Sequence, residues 1–284
     1  MSVEFGTLTW TEADQGMEYP REGRPSTFLG DPVDDQTVRE LFARYGPDGG
    51  NLELEPFAPA GSFTDGTSIL IPVHLSATRT GGLFVSPGQG EENWQYVPGP
   101  WSSEDYYWAN PFAVVPDGGF VANVTDETQV GNEGTTTYLS SDGVSWIDLG
   151  EPPYLSEVDG YIDVMMYPFA GRLRADVQLT ERHGDIAAWE TTDGLTWRPS
   201  QQFEGGVVET FATDFGWVAV TWLYEGGYGL WASADGDTWE RLAPPEGFNE
   251  LRIDGTWTPD AGGNAIYLTI EGATETRTWV GRFE

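Results

Sequence analysis

The 284-residue chain has no cysteine and no lysine. Without cysteine there can be no disulfides, zinc–thiolate sites or thiol nucleophiles, and the redox compartment stays open. All 13 basic residues are arginine against 46 acidic ones, for a formal charge of -33. Such a surface repels phosphate backbones and anionic membranes, so neither nucleic acid nor membrane insertion is expected. His74, in an apolar run, and His183, in a loop, lack metal-ligand spacing to each other. The acidity would suit calcium, but no motif is present to hold it, so no cofactor is expected. No apolar run approaches the ~18 residues of a membrane span. The N-terminal MSVEFGTLTW lacks the basic start and apolar stretch of a signal peptide. That leaves the cytoplasm, or secretion or the cell surface had a leader been removed.

What is present points to many short strands. Hydrophobic residues make up 39% of the chain, enough for a core, and 37 glycines and 19 prolines fall between short apolar runs. Three loops repeat one pattern: SSDGVSW (140–146), TTDGLTW (191–197) and SADGDTW (233–239). Tyr138, Trp189 and Trp231 each precede the loop's tryptophan by eight residues. A strand, a tight Asp-Gly turn and a second strand make a hairpin, in which glycine supplies the unusual φ. The Asp carboxylate and the Ser or Thr hydroxyls can bond the turn's own N–H groups, and the tryptophan becomes a packing wedge. Asp142, Trp146, Asp193, Trp197, Asp235 and Trp239 are therefore structural residues in this reading.

A second repeat precedes the first. Glu55-Pro-Phe57-Ala, Asn110-Pro-Phe112-Ala, Tyr167-Pro-Phe169-Ala, Glu209-Thr-Phe211-Ala and Gly255-Thr-Trp257-Thr occur 42 to 57 residues apart, each followed by an apolar strand. Proline cannot donate to a ladder, so these are edge strands, such as border a propeller's channel. The expected fold is all-β: a five-bladed β-propeller of four-stranded antiparallel blades in one domain spanning 1–284, with blades at 51–100, 105–152, 156–200, 206–245 and 250–284. The N-terminal TLTWTEA (7–13) resembles the outer strands GLTWRPS and GDTWERL and would close the last blade. Six blades is the alternative, if residues 13–50 hide a degenerate one. Val38, Leu41, Phe42 and Tyr45, with Asp34 or Asp35 as N-cap and Gly46-Pro47 as terminator, instead predict a short helix in an insertion spanning 14–50. It would serve as a lid, a binding loop or a plug.

The three loops resemble the Asp-box, or BNR repeat, of sialidases and many non-catalytic propellers, with one residue fewer between Asp and Gly. In that family the boxes are structural and lie opposite the active site. The resemblance implies the fold and not the activity. The family's early Arg-Ile-Pro motif is absent, and Arg21, Arg24, Arg172, Arg174 and Arg252 are recommended only by being arginines.

Loops away from the Asp turns carry aromatics beside acids, a combination suited to stacking on sugars and accepting hydroxyls. Tyr106, Tyr107, Trp108, Asn110, Tyr167 and Tyr224 are the candidate binding residues. Glycosidase chemistry needs two carboxylates roughly 5–10 Å apart; Glu55, Glu209, Asp163 and Asp254 are the candidates. There is no phosphate-cradling loop, nucleophile elbow or dinucleotide fingerprint. The leading expectation is a non-catalytic module for a protein or glycan partner, with a glycoside hydrolase as the alternative.

Overall fold

Short apolar stretches punctuated by Asp-Gly and Gly-Gly turns fold into antiparallel hairpins throughout the computed structural model. It describes residues 8–13, 33–47, 56–57, 61–75, 80–88, 93–99, 106–126, 135–156, 163–178, 186–222, 227–246, 256–271 and 276–283. These contain 21 strands and one helix. Strand β1 (Leu8–Glu12) and helix α1 (Asp35–Tyr45) come first. The first sheet follows with β2 (Pro56–Phe57), β3 (Phe63–Thr64), β4 (Ser68–Leu75), β5 (Thr80–Pro87) and β6 (Gln95–Pro98). The second holds β7 (Tyr106–Val114), β8 (Phe120–Asp126), β9 (Thr135–Ser140) and β10 (Ile147–Gly150). The third holds β11 (Asp163–Phe169), β12 (Arg172–Gln178), β13 (Ile186–Thr191) and β14 (Arg198–Pro199). The fourth holds β15 (Gly206–Thr213), β16 (Gly216–Trp222), β17 (Tyr228–Ser233) and β18 (Glu240–Leu242). The fifth is β19 (Thr256–Gly262), β20 (Ala265–Glu271) and β21 (Thr276–Phe283), with β1 as its fourth strand, paired Leu8 to Phe283 through Glu12 to Trp279. All five sheets are antiparallel; the second, third and fourth are four-stranded meanders, the fifth adds β1 beside β21, and in the first β3 pairs β4 off the β2-β4-β5-β6 path.

The prolines sit where a missing donor costs least. Strands β2, β7 and β11 are sheet edges, and Pro111 lies in a register irregularity between Ala109 and Phe112. Pro72 lies inside the paired strand β4, as the apolar run SILIPVHL implied. It is accommodated because β4 meets β3 at Ile69 and Leu70 and β2 at His74 and Leu75, leaving Pro72 between them.

The chain divides into two compact units. One comprises Ser26–Glu181 and Asp185–Pro199, with the helix and the first three sheets. Its cores lie on both sides of the sheets: Leu70, Leu83 and Val85 pack with Phe112, Phe120 and Val124, and Ala113, Val115 and Val121 pack with Met166, Leu173 and Val177. The other comprises Met1–Pro25, Arg182–Gly184 and Ser200–Glu284, and its core joins Phe211, Val218, Val220 and Leu230 to Ile266, Leu268, Trp279 and Phe283.

The helix follows its sequence signals closely. Asp34 is the N-cap, accepting from the Thr37 N–H at 2.8 Å and its hydroxyl at 2.9 Å, and the Gly46 N–H closes the far end on the Phe42 carbonyl at 2.8 Å. Val38 and Phe42 are fully buried against Ile71, Val73 and Phe84. That burial contributes about 1.5–3 kcal/mol per side chain. Helix α1 thus covers the face of the first sheet opposite the one packed on the second sheet.

Candidate functional site

The three Asp-Gly loops share one hydrogen-bond scheme. In 191–197, Asp193 Oδ1 accepts from the N–H groups of Leu195 at 2.8 Å and Thr196 at 2.7 Å and from the Thr191 hydroxyl at 2.9 Å, while the Gly194 N–H donates to the Thr191 oxygen at 3.0 Å. Asp142 takes Val144, Ser145 and Ser140 in the same way, and Asp235 takes Asp237, Thr238 and Ser233. Gly143, Gly194 and Gly236 have φ of 75°, 73° and 76°, a region that favours glycine. The indole N–H groups of Trp146 and Trp239 donate to the carbonyls of Gly143 and Gly236 at 3.0 and 3.1 Å. These bonds hold the carboxyls ionised. The Thr196 N–H, helped by Leu195 and the Thr191 hydroxyl, brings Asp193 down to about 2. The Thr238 and Asp237 N–H groups lower Asp235, and at Asp142 burial pushes upward but the N–H groups of Ser145 and Val144 outweigh it. A carboxylate committed in this way is a poor proton carrier.

A fourth turn of this kind escaped the sequence reading because no tryptophan follows it. Asp65 Oδ1 accepts from the Thr67 N–H and hydroxyl and from the Ser68 N–H, while Oδ2 takes the Gly119 N–H at 3.2 Å, tying the first sheet to the β7–β8 turn of the second. Two connector aromatics were missed as well. Tyr154 meets Trp189 and Trp197 with ring centroids 5.8 and 4.7 Å apart, and Phe203 meets Trp231 and Trp239 at 5.2 and 5.6 Å. Each wedges the strand aromatic against the loop tryptophan of the same sheet. The signal available was an aromatic in each connector, 35 residues before Trp189 and 28 before Trp231.

The third sheet concentrates charge on one face. The register aligns Tyr167, Arg174, Glu190 and Arg198 in one row across β11 to β14. Arg174 is 1% exposed; its Nε donates to Asp176 Oδ1 at 2.7 Å and its ring-face contact with Phe169 spans 4.8 Å. Glu190 receives Arg172 at 3.2 Å, Arg198 at 3.7 Å and Arg174 at 3.9 Å. The Tyr167 hydroxyl donates to Asp176 Oδ2. Burial, reinforced by the Asp176 charge, pushes the Tyr167 phenol well above its usual range. Burial works against the Arg174 charge, but the oxygens of Tyr167, Asp176 and Glu190 outweigh it and raise its value. Three cations and two carboxylates thus satisfy one another in a largely buried network, and Tyr167, a candidate binding residue, is a member of it.

The other candidates fall as follows. Tyr106, Tyr107, Trp108 and Asn110 lie on β7, at or near the strand end opposite the Asp142 turn, and Asp163 begins β11; their side chains are outside the described residues. Glu209 is half-buried at a bulge of β15. Glu55, Asp254 and Tyr224 lie outside the described residues. Among the described residues no group of three or more His, Asp or Glu is placed to hold a metal ion, and no helix is long and apolar enough to cross a membrane.

Two aromatic pairs have an exposed member among the described residues, Phe215 beside Phe283 and Trp222 beside Tyr228. Trp222 and Tyr228 are register partners at the end of the β16–β17 hairpin, opposite the Asp235 turn along β17. They prolong the core stripe Val218–Ala232 and Val220–Leu230 by one step. Their rings meet edge to face at 5.5 Å, and Trp222 is 41% exposed. Sequence reading named the neighbouring loop and not Trp222.

No family model matches the chain, and no curated protein matches it. The likeness found is to solved structures. The resemblance is one of fold. A subtype N10 neuraminidase-like protein of A/little yellow-shouldered bat/Guatemala is 13% identical over 78% of this chain and 79% of its own, with a TM-score of 0.37. An Aleuria aurantia lectin, in complex with alpha-methyl-L-fucoside, is 13% identical over 78% and 75%, with a TM-score of 0.38. A prolyl endopeptidase is 12% identical over 80% of this chain, with a TM-score of 0.49, and the match spans 34% of that longer chain.

Proposed function

We propose that the chain is a five-bladed β-propeller, closed by β1 as the outer strand of the last blade, that binds a glycan or protein partner without catalysis. Five sheets among the described residues support that count, as does the helix Asp35–Tyr45 in part of the stretch where a sixth blade would need strands. The observation that carries the binding reading is the solvent-open Trp222, propped edge-on by Tyr228 away from the Asp turns. Aromatic side chains dominate recognition because they desolvate a large area at little rotamer cost. The Asp-turn carboxylates and the Arg174–Asp176–Glu190 network are committed to internal bonds, which favours a scaffold role for both. The reading requires no cofactor.

The test is an aryl-glycoside hydrolysis screen run beside a glycan array on the wild type, Trp222→Ala and Glu209→Gln. The expected result is no turnover, and array binding that Trp222→Ala weakens while Glu209→Gln changes it little. Reproducible hydrolysis abolished by Glu209→Gln would replace this reading with the glycoside hydrolase, since an amide can neither hold nor transfer the required proton.

A further inference from the structure

Eight Asp-Gly steps occur in the chain, and five of them, at Asp65, Asp117, Asp142, Asp193 and Asp235, lie among the described residues. In four of these the carboxylate is held. Asp142, Asp193 and Asp235 each accept from the N–H groups two and three residues on, and Asp65 accepts from Thr67, Ser68 and Gly119. The glycine N–H beside each of the four donates to a hydroxyl, of Thr64, Ser140, Thr191 or Ser233, at 2.8 to 3.1 Å. Asp117 differs. It is exposed, and its carboxylate has no hydrogen-bond or ion-pair partner among the described residues. The donor two residues on, the Gly119 N–H, already bonds Asp65 Oδ2, and the residue two before is Val115 rather than a serine or threonine. From this contrast we infer that Asp117–Gly118 is a modification site, the step at which the folded protein spontaneously converts aspartate to isoaspartate, while turn bonds shield the other four.

The Gly118 nitrogen attacks the side-chain carboxyl carbon of Asp117. A C–N bond forms as the carboxyl hydroxyl leaves with the amide proton as water, giving a cyclic imide. Water then adds to one of the two imide carbonyls. Opening at the side-chain carbonyl restores aspartate, and opening at the main-chain carbonyl leaves the backbone running through the side-chain methylene. No oxidant or reductant takes part. Glycine puts no side chain in the way, and a Cβ built on Gly118 would meet nothing within 4 Å. At this step only the Gly118 N–H bond to the Val115 carbonyl, 2.9 Å long, has to open. At the shielded steps the carboxyl must also leave the N–H groups that hold it. Asp193, brought down to about 2, is moreover kept ionised, and a carboxylate is a poor electrophile. The Asp117 N–H donates to the Thr192 carbonyl at 3.0 Å and the Gly119 N–H to Asp65, so the turn links the second sheet to the Asp193 loop and to the first sheet. Lengthening the main chain there by a methylene slackens both links.

The experiment is ageing of the native full chain at about pH 5, where part of an ordinary aspartate is neutral. Peptide mapping, with fragmentation that separates isoaspartate from aspartate, then reads each step. Isoaspartate at 117 should accumulate roughly ten-fold faster than at 65, 142, 193 or 235, the difference that a hydrogen bond or two on the carboxylate makes. In denaturant the five steps should convert at similar rates; a disparity that survives unfolding would place its cause outside the fold and overturn the inference. Thr191→Val, which removes the hydroxyl bonded to Gly194 and Asp193, should raise conversion at 193 several-fold. An unmoved rate there would refute the shielding. Asp117→Glu, whose larger ring closes far more slowly, should keep its melting temperature on ageing while that of the wild type falls. Equal conversion at the five steps of the folded chain overturns the inference, as does faster conversion at any of the other four. Either result leaves the interaction reading intact, since that reading rests on Trp222.

Discussion

Tyr154, from the connector after the second sheet, meets the Trp197 indole with ring centroids 4.7 Å apart and planes at 69°. The same ring lies 5.8 Å from Trp189, and its hydroxyl accepts from the Asn123 amide at 2.7 Å. Tyr154→Ala should destabilise the protein by about 3–5 kcal/mol, as large buried aromatics do when truncated. Tyr154→Phe should cost only about 1–2 kcal/mol, for the Asn123 bond. Chemical denaturation of the two variants checks the ratio; equal losses would mean that packing is not the larger effect.

Asp193 accepts the same set of turn bonds as Asp142 and Asp235, and its value falls to about 2. Its folded value lies below the unfolded one, so its stabilisation is present above the ordinary Asp range near 3.9 and is lost as pH falls through about 2. Asp193→Ala should cost roughly 1–2 kcal/mol at neutral pH, through the turn N–H groups it leaves without a partner. Melting curves of wild type and variant should converge as pH drops from about 4 towards 2. A gap that persists at low pH would contradict the assignment.

Arg174 holds Asp176 and Glu190 in a setting where water is scarce. Arg174→Met keeps much of the stem's volume and takes from Asp176 its buried guanidinium partner, while Glu190 keeps Arg172 and Arg198. A loss of about 3–5 kcal/mol is expected, as for any buried pair deprived of one partner. The triple change of Arg174, Asp176 and Glu190 to apolar residues should cost less than the single one, which equilibrium unfolding would show.

Removing residues 1–12 should expose the edge of β21 and lower the melting temperature, with aggregation increased. Trp10 lies over Gly281, where an added Cβ would come within 2.8 Å of the indole, and its N–H reaches the Ala243 carbonyl at 3.0 Å. Gly281→Val should therefore reproduce part of the truncation's effect in the intact chain. An unchanged melting temperature in both would show that β1 contributes little.

Strand positions and the helix were legible because they rest on period and punctuation. Proline at sheet edges, Asp-Gly before Ser or Thr and then Trp, and the spacing Val38, Leu41, Phe42, Tyr45 each have a local cause. What sequence could not supply were pairings created by register. Nothing local links Arg174 to Glu190 or Trp222 to Tyr228; only the alignment of β12 with β13 and of β16 with β17 brings them together. One bond of the Asp65 turn was hidden for a similar reason, since of its four bonds the one from Gly119 comes from 54 residues on.

Among the described strands, β1 comes earliest in the chain and its partner β21 latest. Thr11 bonds Val280 across 269 residues, whereas α1 has its contacts on β4 and β5 within about half a hundred residues of synthesis. The helix can therefore dock while the chain is still being extended, and β1 must wait with its ladder groups open until β21 appears. Its sequence, Leu-Thr-Trp-Thr-Glu, alternates apolar with hydroxyl or acidic side chains and ends on a charge, which suits a strand that stays unpaired without recruiting neighbours. Closing the β1–β21 ladder therefore carries the loop-closure cost of a 269-residue separation, and a slow refolding phase that vanishes when residues 1–12 are removed would be its signature.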